Sequence, residues 1–320
     1  MQTLIAIDNS AASASIVDQV AARPWAKEAR FTVLHVMEPA HLWTLSTTAT
    51  ELAQRSQAVV GHAVEKLKAA GLAVDGVERE GDPKSVILDY ANEIRASRIV
   101  VGSRGASGVD RLLLGSVAAR VLRGASCSVW IIRPGLTGLP RKVLLATDGS
   151  ECSEQAARSL TVHPLPPSTE VRVMSVVEYY LPPEVTLLQP PGVDPTRVNQ
   201  IREQAMATAE DAVDGANRIL ESTYPNRSQA ISVLLEKPAE LIVREAKEWG
   251  ADWITMGSHG RHGRRIPREW HKNPCFETKR KRQPARKWRK KPYFVLIAQI
   301  CNLTPYTRRF ERKRQRCGCE

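Results

Sequence analysis

Short apolar runs alternate with longer amphipathic segments along most of this chain. β-branched and aliphatic residues cluster in five runs, near residues 3–7, 31–36, 73–79, 97–101 and 128–132. Such runs are typical of buried strands, and the segments between them, such as 51–70, have the period of a helix. Strands that alternate with helices predict a parallel sheet covered by helices on both faces.

The same pattern occurs twice. Residues 4–10 read LIAIDNS and residues 144–150 read LLATDGS, and further matching segments follow in the same order. Between the halves, residues 134–140 read PGLTGLP, which is typical of a linker. The sequence therefore predicts an α/β protein of two tandem, doubly wound, parallel five-stranded sheets, at residues 1–133 and 141–263.

A glycine-rich turn follows the fourth predicted strand of the first half. It contains Gly102 and Gly105, then nine residues, then Gly115 and Ser116, where a helical pattern opens. Glycine lets backbone N–H groups approach an anion closely, and the start of a helix favours negative charge. The turn predicts a phosphate site. The alternative is a tight strand-to-helix turn, with Ser116 as N-cap and no ligand.

With Asp8 after the first strand, the pattern Gly-x-x-Gly-x9-Gly-Ser resembles the ATP-binding class of universal stress proteins over about residues 1–263. The resemblance implies a fold like that of the adenine-nucleotide alpha hydrolases, with ATP and Mg²⁺ as cofactor. It also implies a role in stress response and signalling, through a conformational change that depends on the nucleotide.

The resemblance further implies which residues hold the nucleotide. Asp8 would contact the adenosine part, Val36 would meet the adenine through its backbone, and Gly81 would line the same pocket. Arg104 would reach phosphate oxygens. The alternatives are that Asp8 and Ser10 cap a helix, that Gly81 only forms a turn, and that Arg104 is an exposed loop residue.

The second half departs from the family pattern. Trp270-His271 stands where the pattern has Gly-Ser, and Lys237 replaces the turn glycine, so a weak or empty second site is expected. The last helix and fifth strand are also missing, which leaves a sheet edge open; residues 293–298 (YFVLIA) are a candidate replacement strand. In the family, fifth strands of paired domains meet, which implies a homo-oligomer or an intrachain pseudo-dimer.

The net excess of positive charge lies at the end of the chain. The formal net charge is +12, but residues 264–320 hold 19 Lys/Arg and 4 Asp/Glu, which leaves residues 1–263 slightly acidic. A basic, proline-interrupted tail predicts disorder, and one interpretation is an arm that binds nucleic acid. The other is a shift of reading frame. Reading residues 269–277 one nucleotide earlier permits codons that match Gly115 and residues 117–123.

Composition limits which further classes of protein and of site the chain can contain. No apolar run is long enough to cross a bilayer and no leader is evident, so we expect a cytoplasmic protein without membrane partners. The six cysteines indicate neither a disulfide framework nor a zinc site. Histidines are scattered, so no catalytic residue is predicted; slow ATP hydrolysis or autophosphorylation at Ser103, Ser107 or Ser116 is the most the pattern allows. The alternative is an adenylyl-transferring or nucleotide-hydrolysing enzyme on a related fold.

Overall fold

The computed structural model describes residues 1–38, 49–103, 114–133, 138–162, 165–177, 195–233, 238–257 and 296–299. The strands in this part of the chain are β1 (Gln2–Ile7), β2 (Arg30–Met37), β3 (Ala73–Glu80), β4 (Arg98–Gly102), β5 (Ser128–Ile132), β6 (Lys142–Ala146), β7 (Glu170–Val177), β8 (Arg227–Val233), β9 (Trp253–Gly257) and β10 (Leu296–Gln299). The helices are α1 (Ala11–Ala21), α2 (Ala49–Ala69), α3 (Pro83–Glu93), α4 (Ser116–Gly124), α5 (Glu151–Val162), α6 (Pro195–Leu220) and α7 (Pro238–Trp249). Among them, none combines the length and apolar composition that crossing a membrane requires.

These strands form one sheet in the order β3-β2-β1-β4-β5-β10-β9-β6-β7-β8. Neighbouring strands are parallel, except that β5 and β10 are antiparallel. In the first half the strand order reverses beside β1, since β2 and β3 lie on one side and β4 and β5 on the other. The predicted α/β class with doubly wound parallel strands is confirmed.

The five predicted strands of the first half are confirmed, and each end differs by at most one residue. Alternate side chains of these strands enter two separate cores. Leu4 and Ala6 pack in the core under α3 and α4, whereas Ile5 and Ile7 pack in the core under α1 and α2. Because both faces are covered, the strands read as continuous apolar runs.

Helix starts also follow the sequence. Pro83 opens α3, preceded by the N-cap residue Asp82, whose carboxylate accepts a hydrogen bond from the backbone N–H of Lys84 at 3.2 Å. Pro238 opens α7. Proline is favoured at this position because the N–H it lacks would have no partner within the helix.

The junction between the halves is made by β10. The described residues between 141 and 257 form four strands, and β10 from the tail lies where a fifth would pair: Ile297 lies opposite Trp130 of β5 and Thr255 of β9. The candidate replacement strand is therefore present, at Leu296–Gln299. The predicted absence of a last helix falls on residues 258–295, which lie outside the described ranges, as does most of the tail that we expect to be disordered.

The two halves also share one core. The ring centres of Trp130 and Trp253 are 5.7 Å apart, and both residues belong to the cluster that includes α1 and α5. Gln19 of α1 donates from its side-chain amide to the carbonyl of Gly138 at 2.5 Å, which holds α1 to the segment between the halves. The junction is thus packed on one sheet face as well as hydrogen-bonded along the strands.

Gly257 ends β9 where the backbone of α5 approaches closely. A Cβ atom on Gly257 would lie 2.8 Å from the carbonyl carbon of Cys152 and 2.8 Å from the nitrogen of Ser153. Because these are backbone atoms, we expect Gly257→Ala to lower the free energy of unfolding by about 1–3 kcal/mol in urea titrations. Gly215→Ala in α6 is the control: the nearest atom to its Cβ is 3.9 Å away, and a gain of about 0.5–1 kcal/mol is expected. A loss of similar size in both variants would contradict the role of close packing.

Candidate functional site

The carboxyl ends of β1 and β4 meet where the strand order reverses. The two strands pair in parallel, with Ile5 opposite Val100. Asp8 follows the last residue of β1, and Gly102 is the last residue of β4. Asp8 and the end of β4 therefore lie at neighbouring strand ends. Crevices at such positions are the usual ligand sites of open α/β sheets.

The carboxylate of Asp8 organises the turn into α1. Its Oδ1 accepts hydrogen bonds from the backbone N–H of Ser10 at 3.0 Å and from the hydroxyl of Ser13 at 2.9 Å, and also from the hydroxyl of Ser10. The N–H of Asp8 donates to the Ser13 hydroxyl at 2.8 Å. Of the capping alternative, Ser10 is the N-cap residue of α1 by position, but its side chain caps no helix N–H group; Asp8 holds Ser10 and Ser13 in the turn instead. Contact with a nucleotide stays a prediction.

Two backbone hydrogen bonds fix the start of α4 beside the end of β4. The N–H of Ser103 donates to the carbonyl of Ile132 in β5 at 2.7 Å, and the carbonyl of Ser103 accepts from the N–H of Gly115 at 2.7 Å. Gly102 and Gly115 are therefore brought together although residues 104–113 separate them. Arg104 and Gly105, the other predicted residues of this turn, lie outside the described ranges.

Gly115, and not Ser116, is the N-cap of α4. Its backbone is extended, with φ −58° and ψ 152°, and Ser116 is the first helical residue, with an exposed side chain. The alternative that makes Ser116 the N-cap is wrong, because the extended backbone ends at Gly115 and the helix begins one residue earlier. Since glycine has no side chain that can accept, Gly115 provides no side-chain cap to the N–H groups of the first turn, which suits them to an anion.

Val36 and Gly81 lie at the carboxyl ends of β2 and β3. Val36 is partly buried against the core under α3. Gly81 has a φ of +139°, which favours glycine, and its N–H donates to the carbonyl of Met37 at 3.0 Å. A Cβ atom there would come within 2.9 Å of Val86. The alternative that Gly81 forms a turn is supported, and its place in an adenine pocket stays a prediction.

His35 was set aside in the sequence as one of several scattered histidines, yet the structure places it near the site. It is buried in β2 opposite Ile7, and its Nδ1 lies 2.8 Å from the hydroxyl of Ser56 in α2. Burial lowers the pKa of His35, while the charges of Asp8 and Glu78 partly offset that shift, so the imidazole is neutral at pH 7. The available signal was its place on the same face of β2 as Phe31 and Val33, which pack in the core under α1 and α2.

The second half repeats the acid and its turn. Oδ1 of Asp148 accepts from the N–H of Ser150 at 3.0 Å and from its hydroxyl at 2.5 Å, and Gly149 has a φ of +70°. Residues 258–295 lie outside the described ranges, as does Lys237. The structure therefore gives no second glycine loop to compare, and a weak or empty second site stays a prediction.

Comparison with known proteins decides the family. The model of the universal stress protein family matches residues 1–133 and 140–266. The chain belongs to that family. Both halves of this universal stress protein are therefore Usp regions, and the match ends close to position 264, where the basic composition begins.

Individual proteins similar to this chain are also universal stress proteins. Universal stress protein YxiE of Bacillus subtilis is 32% identical over 143 residues, which cover 41% of this chain and 97% of YxiE. A universal stress protein of Mycolicibacterium smegmatis is 27% identical over 275 residues, or 81% of this chain and 87% of the relative. The crystal structure of a universal stress protein from Archaeoglobus fulgidus covers 94% of this chain and 98% of its own, with a TM-score of 0.60 and 20% identity, which shows the shared fold.

No metal centre is evident in the described part of this universal stress protein. There, no group of three or more histidine, cysteine, aspartate or glutamate residues is arranged to hold an ion. If Mg²⁺ binds at this site, we expect the phosphates of a nucleotide to carry most of its ligands, which is how Mg²⁺ is commonly held in nucleotide sites.

Proposed function

We propose that the first half of this universal stress protein binds ATP, with Mg²⁺, in the crevice between the carboxyl ends of β1 and β4, and that it acts in stress response. The observation that supports this most strongly is the convergence of Asp8, Gly102 and the uncapped start of α4 at one reversal of strand order. A carboxylate for the sugar or base and an anion-binding helix start are then available in one crevice.

The residues of the proposed site fall into two groups, one for the phosphates and one for the adenosine part. The first-turn N–H groups of α4, beginning at Ser116, would receive phosphate oxygens, and the glycines Gly102, Gly105 and Gly115 would keep side chains out of their way. Arg104 would add positive charge. On the other side of the crevice, Asp8 would accept from ribose or adenine donors, and Val36 and Gly81 would line the base.

The proposed mechanism is a shift between conformers. ATP stabilises the conformer in which the two sides of the crevice fit the nucleotide. The size of the shift is set by the difference between its affinities for the two conformers. No catalytic residue is assigned, so hydrolysis is not part of the proposal. Binding of nucleic acid by the tail rests on residues outside the described ranges and stays a prediction.

Calorimetric titration of the full chain with Mg-ATP tests the site, with Asp8→Asn as the variant and Asp148→Asn as the matched control. Asparagine keeps an acceptor for the Ser10 and Ser13 donors, so the turn into α1 is retained while the charge is lost. We expect Asp8→Asn to weaken ATP binding about tenfold or more, because hydrogen bonds to charged groups are worth about 1.5–3 kcal/mol.

Asp148→Asn should leave that affinity unchanged, because Asp148 makes the equivalent turn in the half without a complete loop. If Asp148→Asn weakens binding as much as Asp8→Asn does, the nucleotide does not bind specifically in the first half. If the wild-type chain shows no binding, the proposed function is wrong and the glycines serve only the turn.

A further inference from the structure

Two arginines are buried at the junction between the halves. Arg23 follows α1 and is 8% exposed, and Arg98 opens β4 and is 1% exposed. A buried guanidinium group normally lies beside a carboxylate, because transfer of an unpaired charge from water costs several kcal/mol. Neither arginine forms a salt bridge within the described part of the chain.

Tryptophan rings from both halves pack against these guanidinium groups. The Cζ atom of Arg23 lies 4.1 Å from the ring centre of Trp130 in β5 and 3.9 Å from that of Trp253 in β9. The Cζ atom of Arg98 lies 4.0 Å from the same Trp130 ring. Cation–π contact offsets part of the desolvation cost, but it leaves the N–H groups in the guanidinium planes without acceptors.

Five buried nitrogens here have no hydrogen-bond partner among the described residues: Nη2 of Arg23, Nε and Nη1 of Arg98, and Nε1 of both Trp130 and Trp253. We call these five atoms the donor cluster. Every member is a donor, and arginine and tryptophan side chains have no acceptor to offer one another. The cluster therefore lacks both acceptors and negative charge, a deficit that an anion would remove.

The two weakly acidic side chains that interact electrostatically with these arginines, Cys127 and Tyr224, do not provide that charge. Burial raises the pKa of the Cys127 thiol to about 11, so the thiol beside Arg98 is neutral at pH 7. Burial also raises the pKa of Tyr224, whose hydroxyl already accepts from the N–H of Leu165 and donates to the carbonyl of Leu160, each at 2.9 Å.

The pKa values of both arginines are lowered, as expected for buried cations without a neighbouring negative charge. Burial lowers the pKa of Arg98 to about 9, and burial followed by repulsion from Arg98 lowers the pKa of Arg23 well below its ordinary value. An anion among these groups would favour the charged form of both side chains and oppose both shifts.

We propose that the donor cluster binds a small inorganic anion of the chloride class and that this anion stabilises the junction between the halves. A small ion is required because all five nitrogens are inaccessible to solvent, which excludes a phosphate carried on a nucleotide. A halide accepts several N–H donors at once and, unlike water, also balances charge. The site is separate from the proposed ATP crevice, since Arg98 and Trp253 open their strands whereas the crevice lies where strands end.

Thermal unfolding of the full chain tests this proposal, with chloride replaced by the bulky anion gluconate at constant ionic strength. We expect chloride about 100-fold above its Kd to raise the Tm by on the order of 5 °C. Arg98→Met removes the charge while keeping an apolar side chain on Trp130, and it should abolish the chloride dependence.

Arg172→Met is the matched control. Arg172 also packs on a tryptophan, 4.5 Å from the ring centre of Trp249, but it is paired with Glu245 at 2.5 Å. This variant should lose stability yet keep the full dependence of Tm on chloride. Crystals grown in bromide should also show an anomalous peak within hydrogen-bonding distance of Arg98.

Two results would overturn the proposal. One is a Tm that does not depend on chloride, or that depends on it equally in the wild type and in Arg98→Met. The other is a bromide derivative without a peak at the donor cluster, in which a carboxylate of the chain occupies the position. Neither result bears on ATP binding, which is measured separately at the other end of the strands.

Discussion

Ile297→Pro is expected to lower the free energy of unfolding by about 3 kcal/mol or more, because it places a proline in the middle of a strand that is paired on both sides. Ile297 lies opposite Trp130 of β5 and Thr255 of β9. Proline has no N–H to donate to either ladder, and its ring restricts the backbone. Urea unfolding of the full chain measures the loss.

The same variant should change the oligomeric state. Without β10, the edge of β5 is open, and an unpaired apolar edge pairs readily with another chain. Size-exclusion chromatography should then show larger species. Ile297→Val keeps both the N–H and a β-branched side chain, so it should behave as the wild type. Unchanged stability in Ile297→Pro, or unprotected amides at 296–298 in hydrogen exchange of the wild type, would show that the tail does not close the sheet.

Gly115→Val should weaken ATP binding about 100-fold, or about 2.7 kcal/mol, if phosphates bind at the start of α4. The φ of −58° and ψ of 152° at this position are accessible to valine, and the hydrogen bond from its N–H to Ser103 is retained. The fold should therefore persist with a modest loss of stability, because valine is less favoured than glycine at the N-cap. The isopropyl group would occupy the space before the first-turn N–H groups. Calorimetric titration with Mg-ATP measures the affinity.

The control for this substitution is Gly61→Val in α2, where a Cβ atom meets nothing within 4 Å. It introduces the same side chain away from the crevice and should leave the affinity for ATP unchanged. Wild-type affinity in Gly115→Val, with a Tm that shows a folded protein, would place the phosphates elsewhere and leave Gly115 as a turn residue only.

The sequence was most informative where local pattern and burial coincide. Apart from Thr3 and Ser128 at their starts, the runs at residues 3–7 and 128–132 are apolar at every buried position, so their strands could be placed to within one residue. The duplication then predicted the second half by analogy. Asp8 and Gly102 could be paired because parallel strands bring their carboxyl ends to one edge, a rule that needs no side-chain detail.

Features that depend on distant residues could not be predicted in this way. Arg98 gives no signal in the sequence, because an arginine at the start of a strand is usually exposed. Nothing local indicates that Arg23, Trp130 and Trp253 pack together. For His35 the strand face could be read from the sequence, but its partner Ser56 in α2 could not. The N-cap of α4 is Gly115, one residue before the alternative Ser116. Helix starts depend on backbone angles, which the sequence predicts only to within a residue or two.

The position of β10 in the chain has a consequence for biosynthesis. β5 is complete at Ile132, but the strand that covers its edge ends at Gln299. At ordinary translation speeds of about 5–20 residues per second, the ribosome needs roughly 10–30 s to synthesise the intervening chain. During that interval the apolar edge of β5 is uncovered, and nascent chains on neighbouring ribosomes of the same mRNA can pair with it. Chaperone demand should therefore be highest between the emergence of these two strands, and a translational pause in this interval should raise the aggregated fraction more than an equal pause before β5.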